Sequence, residues 1–302
     1  MQTCIQHIAS VQLLKANISF SGSHEESCGA STLSEHVVSL ASQGFGTGGE
    51  NYDANRPGYT EESVNIISSE INALASDSNN LLYHALELGA GTGKLTELLV
   101  SRLPKSIKYL ASDPSGNFLD VLKKKNLNVD TGVFAAANIP LPEKSVKNVV
   151  CAQCFHWFAE VKEIQSIHRV LAPGGKLILL WNAKNFQEGW MKLFYDQRIE
   201  VFTKMGASLM YWFNTLEWQR NLDHSPYFKL EAHHSLPGVN FEGDLEKILT
   251  NLTTVSAYNT LPSEDRDKYI DQLRQALKSW PGLDINKINI PFTTELYIYK
   301  AL

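Results

Sequence analysis

Between residues 61 and 182 the spacing of apolar positions alternates between two periods, and that alternation predicts most of the fold. EESVNIISSEINALA (61–75) places Val64, Ile67, Ile71 and Leu74 on one helical stripe. Thr60 offers a hydroxyl cap before it, and Glu61 and Glu62 put negative charge in the first turn, where the helix dipole favours it. Short apolar runs then alternate with amphipathic stretches. YHALELG, SIKYLASD, VDTGVFAA, KSVKNVVCAQ and GKLILLWN read as strands, while TGKLTELLVSRL, SGNFLDVLKKKN and EVKEIQSIHRVL read as helices. Apolar strands separated by helices predict an α/β fold with a parallel sheet covered on both faces.

The rhythm stops after Asn182. Residues 186–228 are rich in aromatics, including Trp190, Trp212 and Trp218, and are long enough to form a helical lid over a crevice. GDLEKILTNL and SEDRDKYIDQLRQALKSW predict two further helices, and INIPFTTELYIYK a closing strand. Residues 1–44, rich in Ser, Gly, Gln and His with weak periodicity, read as a poorly ordered extension to one domain spanning 45–302.

Composition narrows the class. The 302 residues are 43% hydrophobic and 20% charged, enough to bury a sizeable core, and the net charge of -5 weighs against a nucleic-acid partner. No apolar run approaches the roughly 18 residues of a membrane span, and no basic leader with an apolar block opens the chain. Four cysteines (Cys4, Cys28, Cys151, Cys154) are too few for a disulfide framework. The expectation is a cytoplasmic monomer or homodimer without membrane or nucleic-acid partners. CAQC invites a redox reading, but on a strand residues three apart point to opposite faces, which argues against it. The pair His233–His234 lacks partners at ligand spacing, so no metal is expected.

The candidate chemistry begins at ELGAGTGK, Glu87 to Lys94, where the first strand meets its helix. Gly89, Gly91 and Gly93 permit a sharp turn and close approach of a ligand. The dinucleotide fingerprint needs a sixth-position Gly where Lys94 stands, so the spacing suits a cofactor without a pyrophosphate. Asp113 ends the second strand, positioned to accept hydrogen bonds from ribose hydroxyls, while Ser115 offers the better cap for the next helix. AAANIPLPEKSV then supplies an extended backbone, with Ala137 and Asn138, that can lie along an adenine.

ELGAGTGK, SDPSGNFL, NIPLPEKSV, AQCFHWF and HRVLAPGGKL, in that order, resemble the class I S-adenosylmethionine-dependent methyltransferases, and more closely the type 11 subgroup that includes trans-aconitate methyltransferase-like enzymes. The resemblance runs from about Phe45 to the C-terminus. It implies a Rossmann-like seven-stranded sheet of order 3-2-1-4-5-7-6 with the last strand antiparallel, S-adenosylmethionine as cofactor, and Tyr52 and Arg56 of NYDANRPGY closing its site together with Glu87, the three glycines and Asp113. Ala137 stands where the subgroup commonly has an acid, and Lys147 where it commonly has Asp.

AQCFHWF ends the fourth strand, whose carboxyl end faces the ligand crevice in open α/β sheets. His156 is the candidate to orient an acceptor or take its proton, and Trp157 or Phe155 the candidate to face the sulfonium. Lys192, Arg198, Lys204 and Arg220 read as a solvated helix face, with a substrate carboxylate as the other use for one of them. The expected activity is methyl transfer to a small-molecule acceptor, with a carboxylate as first choice by family likeness. A catalytically silent cofactor-binding regulator and an RNA or protein methyltransferase are the rivals.

Overall fold

In a computed structural model, residues 57–73, 81–184, 186, 189–204, 216–253 and 261–302 are described. The 1–44 extension, Tyr52 and Arg56 lie outside the described residues.

In chain order the elements are α1 (Glu61–Ala73), β1 (Tyr83–Leu88), α2 (Lys94–Val100), β2 (Tyr109–Ser112), α3 (Gly116–Lys124), β3 (Asp130–Gly132), β4 (Val146–Ala152), α4 (Val161–Val170) and β5 (Leu171–Lys184). Beyond the predicted break come α5 (Gly189–Lys204), α6 (Glu217–Asp223), β6 (Phe228–Pro237), β7 (Phe241–Gly243), α7 (Leu245–Thr253), α8 (Ser263–Lys278), β8 (Ile288–Ile290) and β9 (Phe292–Ala301). The α1 cap forms as expected, with the Ser63 N–H donating to Thr60 Oγ1 at 3.3 Å.

The main sheet has the order β3-β2-β1-β4-β5-β9-β6. β1 to β5 are parallel, and β9 runs antiparallel between β5 and β6. This is the expected Rossmann-like seven-stranded order, with β9 as its seventh strand because β7 and β8 pair separately. Strand periodicity divides the core between the two faces. Leu86, Leu88, Val149, Leu177 and Leu179 face α4 and α6, whereas Ala85, Val150, Ile178 and Leu180 face α1, α2 and α3. Lys176 of β5 ties α1 to β6, its ammonium 2.5 Å from Glu70 and 2.8 Å from Glu231.

Three sequence expectations change. INIPFTTELYIYK is two strands, because Pro291 has no N–H to continue a ladder and the chain changes sheets there. β6, the edge strand that the resemblance implies, had not been located in the sequence: it lies at the sheet edge, only Phe228 of its ten residues is fully buried, and it therefore carries no apolar run. At the other edge, VDTGVFAA contributes only the three residues of β3.

The described residues of 186–228 divide between two cores. Trp190, Met191 and Phe194 of α5 pack with α7, α8 and the β7–β8 ribbon. Trp218 and Leu222 of α6 pack on the main sheet with Trp181 and Tyr297. No helix among the described residues is long and apolar enough to cross a membrane.

Candidate active site

The loops leaving the carboxyl ends of β1, β2, β4 and β5 meet at one end of the sheet. After β1 the chain turns through Gly89, Gly91 and Gly93, with φ of 69°, 58° and 81°. At Gly93 the requirement is double, since the backbone is left-handed and a Cβ would stand 2.2 Å from Cδ1 of Leu122. At Gly91 no atom of the described residues beyond its chain neighbours lies within 4 Å of a would-be Cβ, so the loop presents bare backbone there.

Asp113 joins this loop to the one after β2. Its Oδ2 accepts from the Gly91 N–H at 2.9 Å and its Oδ1 from the Ser115 N–H at 2.8 Å. The Ser115 side chain makes no cap bond, which corrects the expected division of labour: Asp113 itself orders the turn into α3. Burial raises the Asp113 pKa, and the two backbone bonds oppose that rise. Each carboxylate oxygen keeps a lone pair for a further donor, so the geometry is compatible with a ribose diol.

Glu87 sits beneath the loop rather than beside it. It is 1% exposed, and its Oε2 accepts from the Thr96 hydroxyl at 2.6 Å and the Tyr109 hydroxyl at 2.8 Å. It thereby fastens α2 and β2 to β1. Burial pushes its pKa up to about 7, the two hydroxyls pull it down, and the charge of Asp113 adds to the rise.

Ala137 and Asn138 lie in a 3-10 turn, Ala136–Asn138, after β3; Ala137 is half-buried and Asn138 exposed. The run that follows is held by Arg169 of α4, which donates to the Ile139 and Leu141 carbonyls at 2.7 Å each. Lys147, one of the departures from the subgroup, donates to the Pro173 carbonyl at 3.2 Å and so anchors the Pro-Gly-Gly bend.

β4 ends where Gln153 adopts a left-handed φ of 63°. That turn swings Cys154 beneath the glycine loop, its thiol donating to the Leu88 carbonyl at 3.1 Å. It also leaves Cys154 near enough to Cys151 for the two thiols to interact, so they do not point apart as strand geometry predicted. The neighbouring Cys151 and burial push the Cys154 thiol well up. Both cysteines are free thiols.

His156 and Trp157 follow in the 3-10 turn Phe155–Trp157, both half-buried, with ring centroids 5.0 Å apart. The Trp181 indole N–H donates to His156 Nδ1 at 3.0 Å. His156 is only half-buried as a residue, yet protein packs closely around its ring. Desolvation and then the charge of Arg198 lower its pKa to about 3, a direction the Trp181 bond independently requires, because Nδ1 accepts that bond only when it carries no proton. Arg198 is half-buried on α5, whereas Lys192 and Arg220 pair with Asp196 and Glu217 at the surface. The Lys204 side chain lies outside the described residues.

The sequence did not single out Trp181 or Asn182 for the site. Asn182 donates to the Gly58 carbonyl at 2.8 Å and accepts from Thr294 at 3.1 Å, pinning the chain before α1 to the carboxyl end of β5. The available signal was position, since both end the apolar run LILLWN at the ligand-facing side of a strand. His233, set aside as a ligand, pairs with Glu295 at 2.8 Å and stacks on Tyr297 at 4.0 Å. Among the described residues there is no group of three or more metal-ligating side chains.

A family model described as a methyltransferase domain matches residues 86–179, the span from β1 to β5 that carries these loops. An uncharacterized methyltransferase of Schizosaccharomyces pombe is 32% identical over 265 residues, 83% of this chain and 96% of that protein. Another from Mycobacterium bovis is 30% identical over 266 residues, 87% of this chain and 96% of that protein. A solved methyltransferase structure from Anaeromyxobacter dehalogenans shares the fold at a TM-score of 0.55, with 17% identity over 82% of this chain and 97% of that one. The chain therefore belongs to the methyltransferase family, and it is an S-adenosylmethionine-dependent enzyme with the class I fold. The site fits that cofactor: bare backbone at Gly91 and a buried acid at Asp113.

Proposed function

We propose that the enzyme methylates a small, partly apolar acceptor through an oxygen that is already ionised at neutral pH, with a carboxylate as the first choice. The observation behind this reading is the state of His156. A ring whose Nδ1 is engaged by Trp181, and whose pKa is lowered to about 3, is a poor proton acceptor at neutral pH. An acceptor that must lose a proton would gain little from it, whereas a carboxylate needs no base. The positive charge of Arg198, close enough to depress His156, favours an anion in the same place.

S-adenosylmethionine supplies the methyl group on a cationic sulfur, so the protein's task is alignment and exclusion of water. In this reading Gly89, Gly91, Gly93 and Asp113 hold the nucleoside end, with Ala137 and Asn138 along the base. Tyr52 and Arg56 close over it, as the type 11 resemblance implies, and Glu87 stiffens the loop from below. His156 donates from Nε2 to the acceptor, Trp157 lines the path of the methyl group, and residues 186–228 cover the crevice. Positioning of this kind can lower a barrier by roughly 7–11 kcal/mol. The pair of free thiols, Cys151 and Cys154, suits a cytoplasmic setting.

Incubation with methyl-labelled S-adenosylmethionine and a metabolite extract, beside RNA and protein fractions, tests the proposal. Label in a small, base-labile ester supports it. Label in RNA or protein, or cofactor binding with no transfer to any fraction, refutes it.

A further inference from the structure

We propose that Trp181 is a positioning residue for methyl transfer, holding His156 in the single tautomer that offers an N–H to the acceptor. The argument begins with the donor. An indole nitrogen can only donate, and its N–H is directed at His156 Nδ1, 3.0 Å away. Nδ1 therefore holds a lone pair, and in the neutral ring the proton sits on Nε2. Protonating Nδ1 would set two N–H groups against each other, so the imidazolium form must break this bond.

The donor is held firmly. Trp181 is 1% exposed, and its ring lies 4.4 Å from that of Trp218 and 6.0 Å from that of Tyr297. Its backbone is fixed in the sheet, with Glu295 opposite it on β9. A residue inside the sheet thus sets the hydrogen-bonding character of one in a loop twenty-five positions earlier. The charged group that bears on the ring from the helical side is Arg198 of α5. Its charge also favours the neutral ring and reinforces the choice made by Trp181. A flexible histidine would exchange between donor and acceptor at Nε2; this one presents the donor alone.

The role in transfer rests on the proposal that His156 faces the acceptor, but the tautomer can be read without any acceptor. Long-range proton–nitrogen correlation spectra of protein labelled in its histidine rings report which nitrogen is protonated, and His156→Asn identifies the resonance by its loss. In the wild-type enzyme His156 is expected as the Nε2–H form throughout pH 5 to 8. Trp181→Phe keeps the aromatic bulk and removes the donor, and its His156 should show mixed tautomers over the same range. Methyl transfer from labelled S-adenosylmethionine to the metabolite extract should fall about tenfold in this variant, an effect of one lost orienting bond, with S-adenosylhomocysteine affinity unchanged. A wild-type ring protonated on Nδ1 overturns the proposal even if Trp181→Phe does not fold. So does a Trp181→Phe protein with the wild-type tautomer and rate. A lock that is present in the wild type and lost in Trp181→Phe, with neither protein transferring methyl, would instead refute the acceptor reading and leave the tautomer assignment standing.

Discussion

Glu87→Gln should reverse a stability cost that the wild-type protein carries at neutral pH. The carboxyl is buried and its pKa is raised from 4.5 to about 7. The folded state therefore holds a proton on Glu87 between those values, where the unfolded chain has released it. The contribution of Glu87 to stability is complete below about pH 4.5, and is lost as pH rises through 7. A shift of that size corresponds to about 3 kcal/mol. In Glu87→Gln the amide oxygen can still accept from Thr96 and Tyr109, which lie 2.6 and 2.8 Å from the present oxygen, but nothing titrates. Other groups titrate equally in both proteins and cancel in the difference. Urea denaturation followed by tryptophan fluorescence, at pH 4.5 and 7.5, gives that difference directly. At pH 4.5 the variant should be equal to or less stable than the wild type; by pH 7.5 it should have gained about 3 kcal/mol relative to it. A difference that is flat with pH, or that moves the other way, would refute the account of Glu87 as a buried brace that holds its proton up to about pH 7.

Gly93→Ala combines a left-handed backbone with a clash against buried Leu122. It should cost about 2–4 kcal/mol of stability in the same denaturation assay, whereas a loss below about 0.5 kcal/mol would mean the loop relaxes freely. Asn182→Leu removes the ties to Gly58 and Thr294. With the Thr294 hydroxyl left buried and unmatched, it should lower stability by about 1–3 kcal/mol and weaken S-adenosylhomocysteine binding, as calorimetry would show; tight binding by a destabilised variant would restrict Asn182 to a structural role. His156→Asn should lower methyl transfer severalfold without removing a pH–rate limb near neutrality, because the native ring does not titrate there; a limb present in the wild type and absent in the variant would make His156 a base after all.

Much of the fold was legible because its central strands are apolar on both faces and its helices amphipathic. Of the stripe Val64, Ile67, Ile71 and Leu74, the first three are fully buried and Leu74 lies outside the described residues. The parts that were missed lack such a signal. β6 lies at the sheet edge and carries Lys229, Glu231 and His233, and β7 is three residues long, too short for any period. The glycine loop and Asp113 could be recognised because their chemistry is local, and their mutual bond runs between neighbouring strand ends. Long-range pairs were not recoverable. Nothing in the spacing of His156 and Trp181 announces a hydrogen bond, and the contact of Cys154 with Cys151 depends on one left-handed residue, Gln153, that carries no sequence mark.

The central claim is that Asp113 and the glycine loop form the S-adenosylmethionine site, and calorimetric titration of S-adenosylhomocysteine into wild-type protein and Asp113→Ala tests it most directly. The product avoids turnover and shares the ribose. The wild type should bind with one site per chain and without added metal. Asp113→Ala removes a charged acceptor for the ribose and the anchor of Gly91 and Ser115. Provided circular dichroism shows the variant folded, its affinity should fall by about thirtyfold or more, the equivalent of about 2–4 kcal/mol. Equal affinity in the two proteins would contradict the assignment.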